Sequence, residues 1–266
     1  MDSKTINYPI YIISKGRWEN PITARYFTKE NIPFKMAVEP QEFESYCKII
    51  PQRNILTLPF SNLGLGSYPA RNHCWEDSIR NGYKKHFVFD DNIYRFTRMD
   101  NRTKDSCSAE ESLLCLQNLT NKYKNIAISG FNYEMFITKE TTKPFTYNTH
   151  VYSGMLINNE IPYRWRLKYN EDVDLCLQAL HNGMNTILLN VFIIKKVSTT
   201  SKLKGGNQDE LYKGNAPGKK LLKAKSLESV WPQYVKTVVR FGRPHHQVSW
   251  KKHFKQPLIR KENAAA

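Results

Sequence analysis

No run of roughly 18 apolar residues occurs in this chain of 266 residues, so a membrane-spanning helix is not expected. Its start, MDSKTINYPIYIIS, has neither the basic opening nor the long apolar stretch and small-residue cleavage site of a secretory signal. A protein of the cytoplasm with no membrane attachment is the resulting expectation. Cysteine is scarce and scattered: Cys47, Cys74, Cys107, Cys115 and Cys176 are odd in number and contain no C-x-x-C pair. That excludes a disulfide framework and a cysteine zinc site. The Ser/Thr-ended G-x-x-x-x-G-K phosphate loop is absent, and Gly64-x-Gly66 fails the dinucleotide fingerprint because Pro69 stands where its third glycine belongs. Kinase-like and nicotinamide-dependent chemistries therefore lose their sequence support. No internal repeat or heptad array is found.

What is present suits a packed α/β protein. Hydrophobic residues make up 40% and aromatics 12%, more than a disordered chain of this charge would carry. The formal charge is +16, and it is unevenly spread. From Lys195 onward 17 Lys and Arg face 4 Asp and Glu, so the tail holds +13 and the first 194 residues only +3. Such a field either solubilises or attracts a polyanion. We read residues 1–200 as the main domain, 201–263 as a basic C-terminal region packed on it or continuous with it, and Ala264 to Ala266 as an appended scar.

The first ninety residues alternate strand and helix signals. Strands are expected at Tyr8 to Ile13, Met36 to Val38, Asn54 to Leu58 and His86 to Phe89, with helices opening at Pro21, Gln41 and about Pro69, the last stopping at Asn81-Gly82. Strands joined by crossover helices imply a mostly parallel sheet, and such sheets bind ligands at the strands' carboxyl ends. Further on, Ser108-x-x-Glu111 reads as a capping box opening a helix. Strand-like pieces follow at Ile126 to Ser129, Glu134 to Thr138 and Val151 to Ile157. A helix from Asn170 carries Val173, Cys176, Leu177 and Leu180 on one face, and Thr186 to Ile194 reads as another strand.

Several clusters carry candidate chemistry. Asp90-Asp91-Asn92 directly follows an apolar strand, where two carboxylates would repel unless a divalent Mg²⁺ or Mn²⁺ joined them to substrate phosphates; an Asx turn is the structural alternative. Glu171 and Asp172 lie in a helix's first turn, either stabilising the dipole or supplying a general base, with Tyr163, Trp165, Tyr169 and Asn170 as possible stacking and polar contacts. Arg71 and Asn72 open the helix after the glycine loop, a place suited to a diphosphate. His245, His246 and His253 lie among Arg243, Lys251, Lys252 and Lys255, which favours a cationic surface over a metal site. Trp231, Tyr234, Phe241 and Trp250 interleave with those charges. They either stack on nucleic acid bases or anchor the tail to the body.

Taken in order, PIYIISKGR, VEP, ARN, FDDN and YNEDVDL, with the KGGNQ segment around Gly205, Gly206 and Asn207, resemble the Rossmann-like glycosyltransferase A fold. More narrowly they resemble the phage and kinetoplastid DNA glycosyltransferases associated with TET/JBP-type hydroxylases, over roughly residues 8 to 215. The resemblance implies a metal-dependent, inverting enzyme. It would move a sugar from a UDP-sugar to 5-hydroxymethylcytosine or 5-hydroxymethyluracil in DNA, with the basic region binding the DNA, in a host cell's cytoplasm if phage-encoded. It further implies that Ser14, Arg17 and Glu39 hold the nucleoside, Arg71 and Asn72 the diphosphate or donor sugar, and Asp90 and Asp91 the Mn²⁺ or Mg²⁺. Asp172, with Glu171 beside it, becomes the base. Asp-Asp-Asn replaces the usual Asp-x-Asp, so which side chain ligates directly stays open, as does the third ligand. A transferase acting on a glycan or protein would share the donor residues without needing the basic tail. A noncatalytic DNA-binding module would keep the tail without the chemistry.

Overall fold

The computed structural model describes residues 2–100, 102–197, 205–206 and 217–262. The expected boundary at 200/201, Asn207 and Ala264 to Ala266 lie outside them.

Alternating burial sets the first half. In β1 (Ile10–Ile13), Ile10 and Ile12 pack to one side and Tyr11 to the other. Pro21 precedes α1 (Ile22–Lys29), which buries Thr23, Ala24 and Phe27 at helical spacing. Then come β2 (Lys35–Val38), α2 (Phe43–Cys47) after a tight turn at Pro40–Glu42, β3 (Ile55–Thr57), α3 (Tyr68–Arg80) and β4 (Lys85–Asp90). These four strands pair in parallel in the order β3-β2-β1-β4.

The second half extends the same sheet with both directions. It contains the hairpin β5 (Ile93–Asp100) and β6 (Thr103–Cys107), α4 (Ala109–Asn121), β7 (Ile126–Tyr133), β8 (Phe145–Tyr147), β9 (Gly154–Asn158), α5 (Glu171–His181) and β10 (Asn185–Lys196). The full order is β3-β2-β1-β4-β9-β7-β10-β5-β6, with β8 on β10. Since β9 is antiparallel to both β4 and β7, and β10 is parallel to β7, strands β1 to β4, β7 and β10 all point one way. The sheet is mostly parallel in direction, as expected, with β9, β5 and β8 running against it.

Ser108 Oγ accepts from Glu111 N at 3.1 Å, the cap that opens α4. Glu134 to Thr138, expected as a strand, instead turns at Glu134–Phe136. At that turn the Glu134 carboxylate meets Thr97, Lys195 and Arg95. The strand expected from Val151 begins only at Gly154, because Ser153 adopts a left-handed φ of 55°.

Two apolar layers sandwich the sheet. Phe27, Phe34, Phe87, Phe89, Phe96, Leu113 and Phe131 pack beneath α1 and α4, whereas Trp75, Val88, Ile128, Met155, Leu175 and Ala179 pack beneath α3 and α5. The C-terminal segment, α6 (Pro217–Val230), the hairpin β11 (Val235–Arg240) and β12 (Arg243–Val248), and α7 (Trp250–His253), covers the outer face of α5. There Val173, Leu177 and Leu180 meet Leu227, Trp231, Val235 and Phe254. Buried Asp174 ties the two parts together by accepting from Arg166, Gln178 and Trp231 Nε1. Among the described residues no helix is long and apolar enough to cross a membrane.

Candidate active site

A cavity of about 420 Å³ opens where β1, β2, β4 and β10 end, between the starts of α3 and α5. The parallel topology dictates this, since side chains following each strand converge at that edge. Ser14, Arg17, Glu39, Arg71, Asp90, Asp91, Glu171 and Asp172 all line it. Asn72 does not: its amide bonds both ways with the backbone of Trp165, at 2.8 and 3.1 Å, because its position on α3 faces that loop rather than the cavity. Asn72, expected to hold the diphosphate or donor sugar, is thus not brought together with the other expected site residues.

One part of the cavity is apolar, walled by Ile13, Leu58, Phe60 and Ala70, and Glu39 also lines the cavity. Glu39 accepts from Lys15 Nζ, Gln41 and the Asn62 amide at 3.0, 2.5 and 3.0 Å. Burial works against its charge, but these bonds prevail and keep it below its ordinary pKa. The turn after β1 is pinned to Asp91, which takes Ser14 Oγ at 2.6 Å on one oxygen and Arg17 Nη1 on the other. Gly205 packs flat against the same turn. A Cβ there would lie 2.1 Å from the Gly16 carbonyl oxygen, so only glycine fits.

The middle is a charge cluster. Asp90 accepts from Arg71 Nη2 at 2.7 Å, Ser153 Oγ at 2.6 Å and Lys196 Nζ at 3.2 Å. Burial opposes its ionisation, yet Lys196, Arg71 and Ser153 hold it well below the usual carboxylate range. Arg71 is itself buried, stacks over the Trp165 ring at 4.8 Å and leaves Nη1 without an acceptor among the described residues. Glu171 is held by Ser67 Oγ at 2.6 Å and lies 3.9 Å from Arg71 Nε. Asp172 differs. Its only hydrogen bond among the described residues comes from the Val173 amide at 2.9 Å, and burial together with Glu171 lifts its pKa to about 7.

The far end is aromatic. Tyr133 and Tyr152 stack with centroids 5.9 Å apart, and His246 from β12 and Lys223 from α6 close the wall. Burial, then the nearby Lys223 and His245, push the His246 pKa down to about 4, so it is neutral at pH 7. Trp165 is a core residue rather than a contact, while Tyr169 and Asn170 do reach the cavity. Lys196, Ser153, Tyr133 and Tyr152 were not singled out from sequence, and His246, read there as part of a cationic surface, instead lines the cavity. Lys196 alone carried a legible signal, its place at a strand's carboxyl end.

Residues 8–206 match the family model of the TET-associated glycosyltransferases. The chain belongs to that family. No curated protein matches it. Among solved structures, that of GalNAc-T7 with UDP, GalNAc and Mn²⁺ is similar at 8% identity and TM-score 0.50, covering 86% of this chain and 52% of that one. The chain thus spans about half that protein's length and shares its glycosyltransferase A fold. A protein of Desulfovibrio desulfuricans G20 assigned as a nucleotide-diphospho-sugar transferase aligns at 11% identity and TM-score 0.36, covering 79% of this chain and 95% of that one. In this TET-associated glycosyltransferase the residues also fit a divalent ion in one specific sense. Asn92 Oδ1 is buried with no hydrogen-bond donor among the described residues, and both it and Asp90, two residues before it, line the cavity. Among the described residues no group of three or more His, Cys, Asp or Glu stands together so as to hold a metal ion. That donor set suits an ion that completes its shell with substrate phosphates.

Proposed function

We propose that this glycosyltransferase moves a sugar from a UDP-sugar to the hydroxymethyl group of 5-hydroxymethylcytosine or 5-hydroxymethyluracil in DNA. The observation that carries the reading is the set of groups that line the cavity together. Apolar side chains, a buried guanidinium whose Nη1 has no acceptor among the described residues, and the Asp172 carboxylate near Tyr133 and Tyr152 share that cavity. The family's association with TET-type hydroxylases, which make hydroxymethylpyrimidines, and the +13 carried from Lys195 onward support DNA as the acceptor.

In this reading the uracil lies against Ile13, Leu58 and Phe60, and Arg71 with Lys196 faces the diphosphate. Asp90 and Asn92 would hold Mn²⁺ or Mg²⁺, which when bound would neutralise charge on the leaving diphosphate. Asp91 keeps Ser14 and Arg17 in place. The acceptor pyrimidine stacks near Tyr133 and Tyr152, within reach of Asp172. Asp172 takes the proton of the hydroxymethyl oxygen as that oxygen bonds to the anomeric carbon, and the bond from that carbon to the phosphate oxygen breaks, releasing UDP. A single displacement of this kind inverts the anomeric centre. Glu171, engaged by Ser67 and Arg71, orients the helix start instead of moving the proton.

The test is mass spectrometry of nucleosides after incubation of hydroxymethylated DNA with a panel of UDP-sugars and Mn²⁺. A sugar-sized mass gain on the hydroxymethylpyrimidine is expected. Transfer only to glycan or protein acceptors, or no transfer and no UDP release, would overturn it.

A further inference from the structure

Four aromatics of the C-terminal segment, Trp231, Tyr234, Phe241 and Trp250, divide sharply. Trp231 is buried against α5, and Tyr234 and Trp250 pack around Phe254, so three of them anchor the segment. Phe241 is 95% exposed. It stands at the tip of the β11–β12 hairpin, in a two-residue turn closed by the Arg240–Arg243 pair. Its φ of 51° and Gly242's of 68° put both residues in the left-handed region. A turn of that shape favours Asn or Asp before glycine, and an aromatic there costs on the order of 1 kcal/mol. Phe241 therefore serves neither the turn nor the core.

Its surroundings point to one kind of partner. Arg240, Arg243 and Lys236 are exposed on the hairpin, Lys251 and Lys252 on α7, and no Asp or Glu occurs from Ser229 to Lys261. Val239, the next apolar residue down, is 76% exposed. The hairpin also rises from the catalytic rim. Strand pairing sets Thr237 opposite His246 and Val239 opposite Pro244 on one face, and His246 lines the cavity. At about 3.4 Å per residue the tip lies roughly 10–15 Å from His246 along the strand.

We infer that the β11–β12 hairpin is a wedge that inserts Phe241 into duplex DNA, filling the stack while the acceptor base turns into the cavity, with Arg240 and Arg243 on the flanking phosphates. A base inside a duplex cannot reach an enclosed cavity without leaving the stack, and apolar side chains between base steps are a known means of holding it open. The inference rests on the DNA-acceptor reading above.

The experiment compares wild type, Phe241→Gly and Phe241→Trp on one hydroxymethylated oligonucleotide presented as single strand, as duplex, and as duplex with an abasic site opposite the target. Phe241→Gly should lose roughly ten-fold or more on the duplex, keep single-strand turnover within about two-fold, and recover on the abasic duplex, where the target is unpaired. Phe241→Trp should retain duplex turnover. Because glycine relieves the turn, Phe241→Gly should melt no lower than wild type, so a loss cannot be ascribed to unfolding. Equal loss on single strand and duplex, or no loss on either, overturns the wedge. So does loss of anionic-vesicle binding in Phe241→Gly with the duplex-to-single-strand ratio unchanged. If wild type transfers sugar to none of the three DNAs, the acceptor reading fails separately. The wedge is then judged by a fluorescent purine beside the target position in duplex: it should brighten on binding wild type and not on binding Phe241→Gly, and equal signals overturn it.

Discussion

Arg71 gives Nη2 to Asp90 at 2.7 Å while its Nη1, equally buried, has no acceptor among the described residues. An unpaired buried donor costs about 1–3 kcal/mol, which a ligand oxygen at that place would recover. Arg71→Lys keeps the charge and the tie to Asp90 but has no fork to serve both. Its UDP affinity should fall roughly ten-fold or more in titration calorimetry, with little change in melting midpoint. Unchanged affinity would remove Arg71 from the donor site.

Asp90, Asp91 and Asn92 follow one another yet are predicted to behave differently on substitution. Asp91 has both oxygens on Ser14 and Arg17, so Asp91→Ala removes the anion beside a buried guanidinium that keeps its bond to Gly205 O, and should destabilise by about 1–3 kcal/mol, read as a drop in melting midpoint. Asn92→Ala should instead raise the Mn²⁺ concentration for half-maximal turnover by roughly 10-fold, with a smaller loss of stability from its bond to Val197 O. Chelator should abolish wild-type turnover. Full activity in chelator would sink the metal assignment.

The rule that ligands gather at carboxyl ends of parallel strands made Ser14, Glu39, Asp90 and Asp91 legible, because β1, β2 and β4 announce themselves as short apolar runs. The same rule reaches Lys196, but β10 lies a hundred residues later, and its final lysines read as the start of a basic tail. Asn72 lies off the cavity for a different reason: one step beyond Arg71 around α3, its amide is taken by the Trp165 backbone. Ser153 and Tyr133 could not be seen, since one depends on a left-handed residue and the other on β7 running past its apolar core. The β5–β6 hairpin escaped because β6 is almost wholly exposed and shows no alternation. Three tail aromatics resembled Phe241 in sequence, and only burial separates them.

Salt dependence tests the DNA acceptor without touching the cavity. Removing the whole C-terminal segment is a poor probe, since Trp231, Val235 and Phe254 cover α5 and His246 walls the cavity. Lys251, Lys252 and Lys255 are exposed instead. Changing all three to Gln should weaken DNA binding and flatten the slope of log K against log salt by up to about 0.9 per lost phosphate contact. UDP affinity should not change. An identical salt slope in wild type and triple variant would take these lysines off the DNA.

Asp172 makes a prediction in which rate and stability move oppositely. Its folded pKa of about 7 lies above the carboxylate's ordinary 3.8, so the folded state holds a proton that the unfolded chain has released between those values. Stability is therefore lost as pH rises through that window, and at pH 8 the fold carries an ionised carboxylate that its surroundings disfavour. A base poised there should give turnover that climbs with pH through about 7 and then levels. Asp172→Asn keeps the shape and can still accept from the Val173 amide, but has no proton to exchange. Its turnover should drop by roughly 10² to 10⁴ and lose the pH limb, while UDP-sugar affinity stays near wild type. At pH 8 its melting midpoint should exceed wild type by roughly 2–4 °C for each kcal/mol relieved, and the difference should vanish near pH 4. A midpoint below wild type at pH 8, with turnover of the folded protein preserved, would make Asp172 a helix cap and return the search for the base to Glu171 or His246.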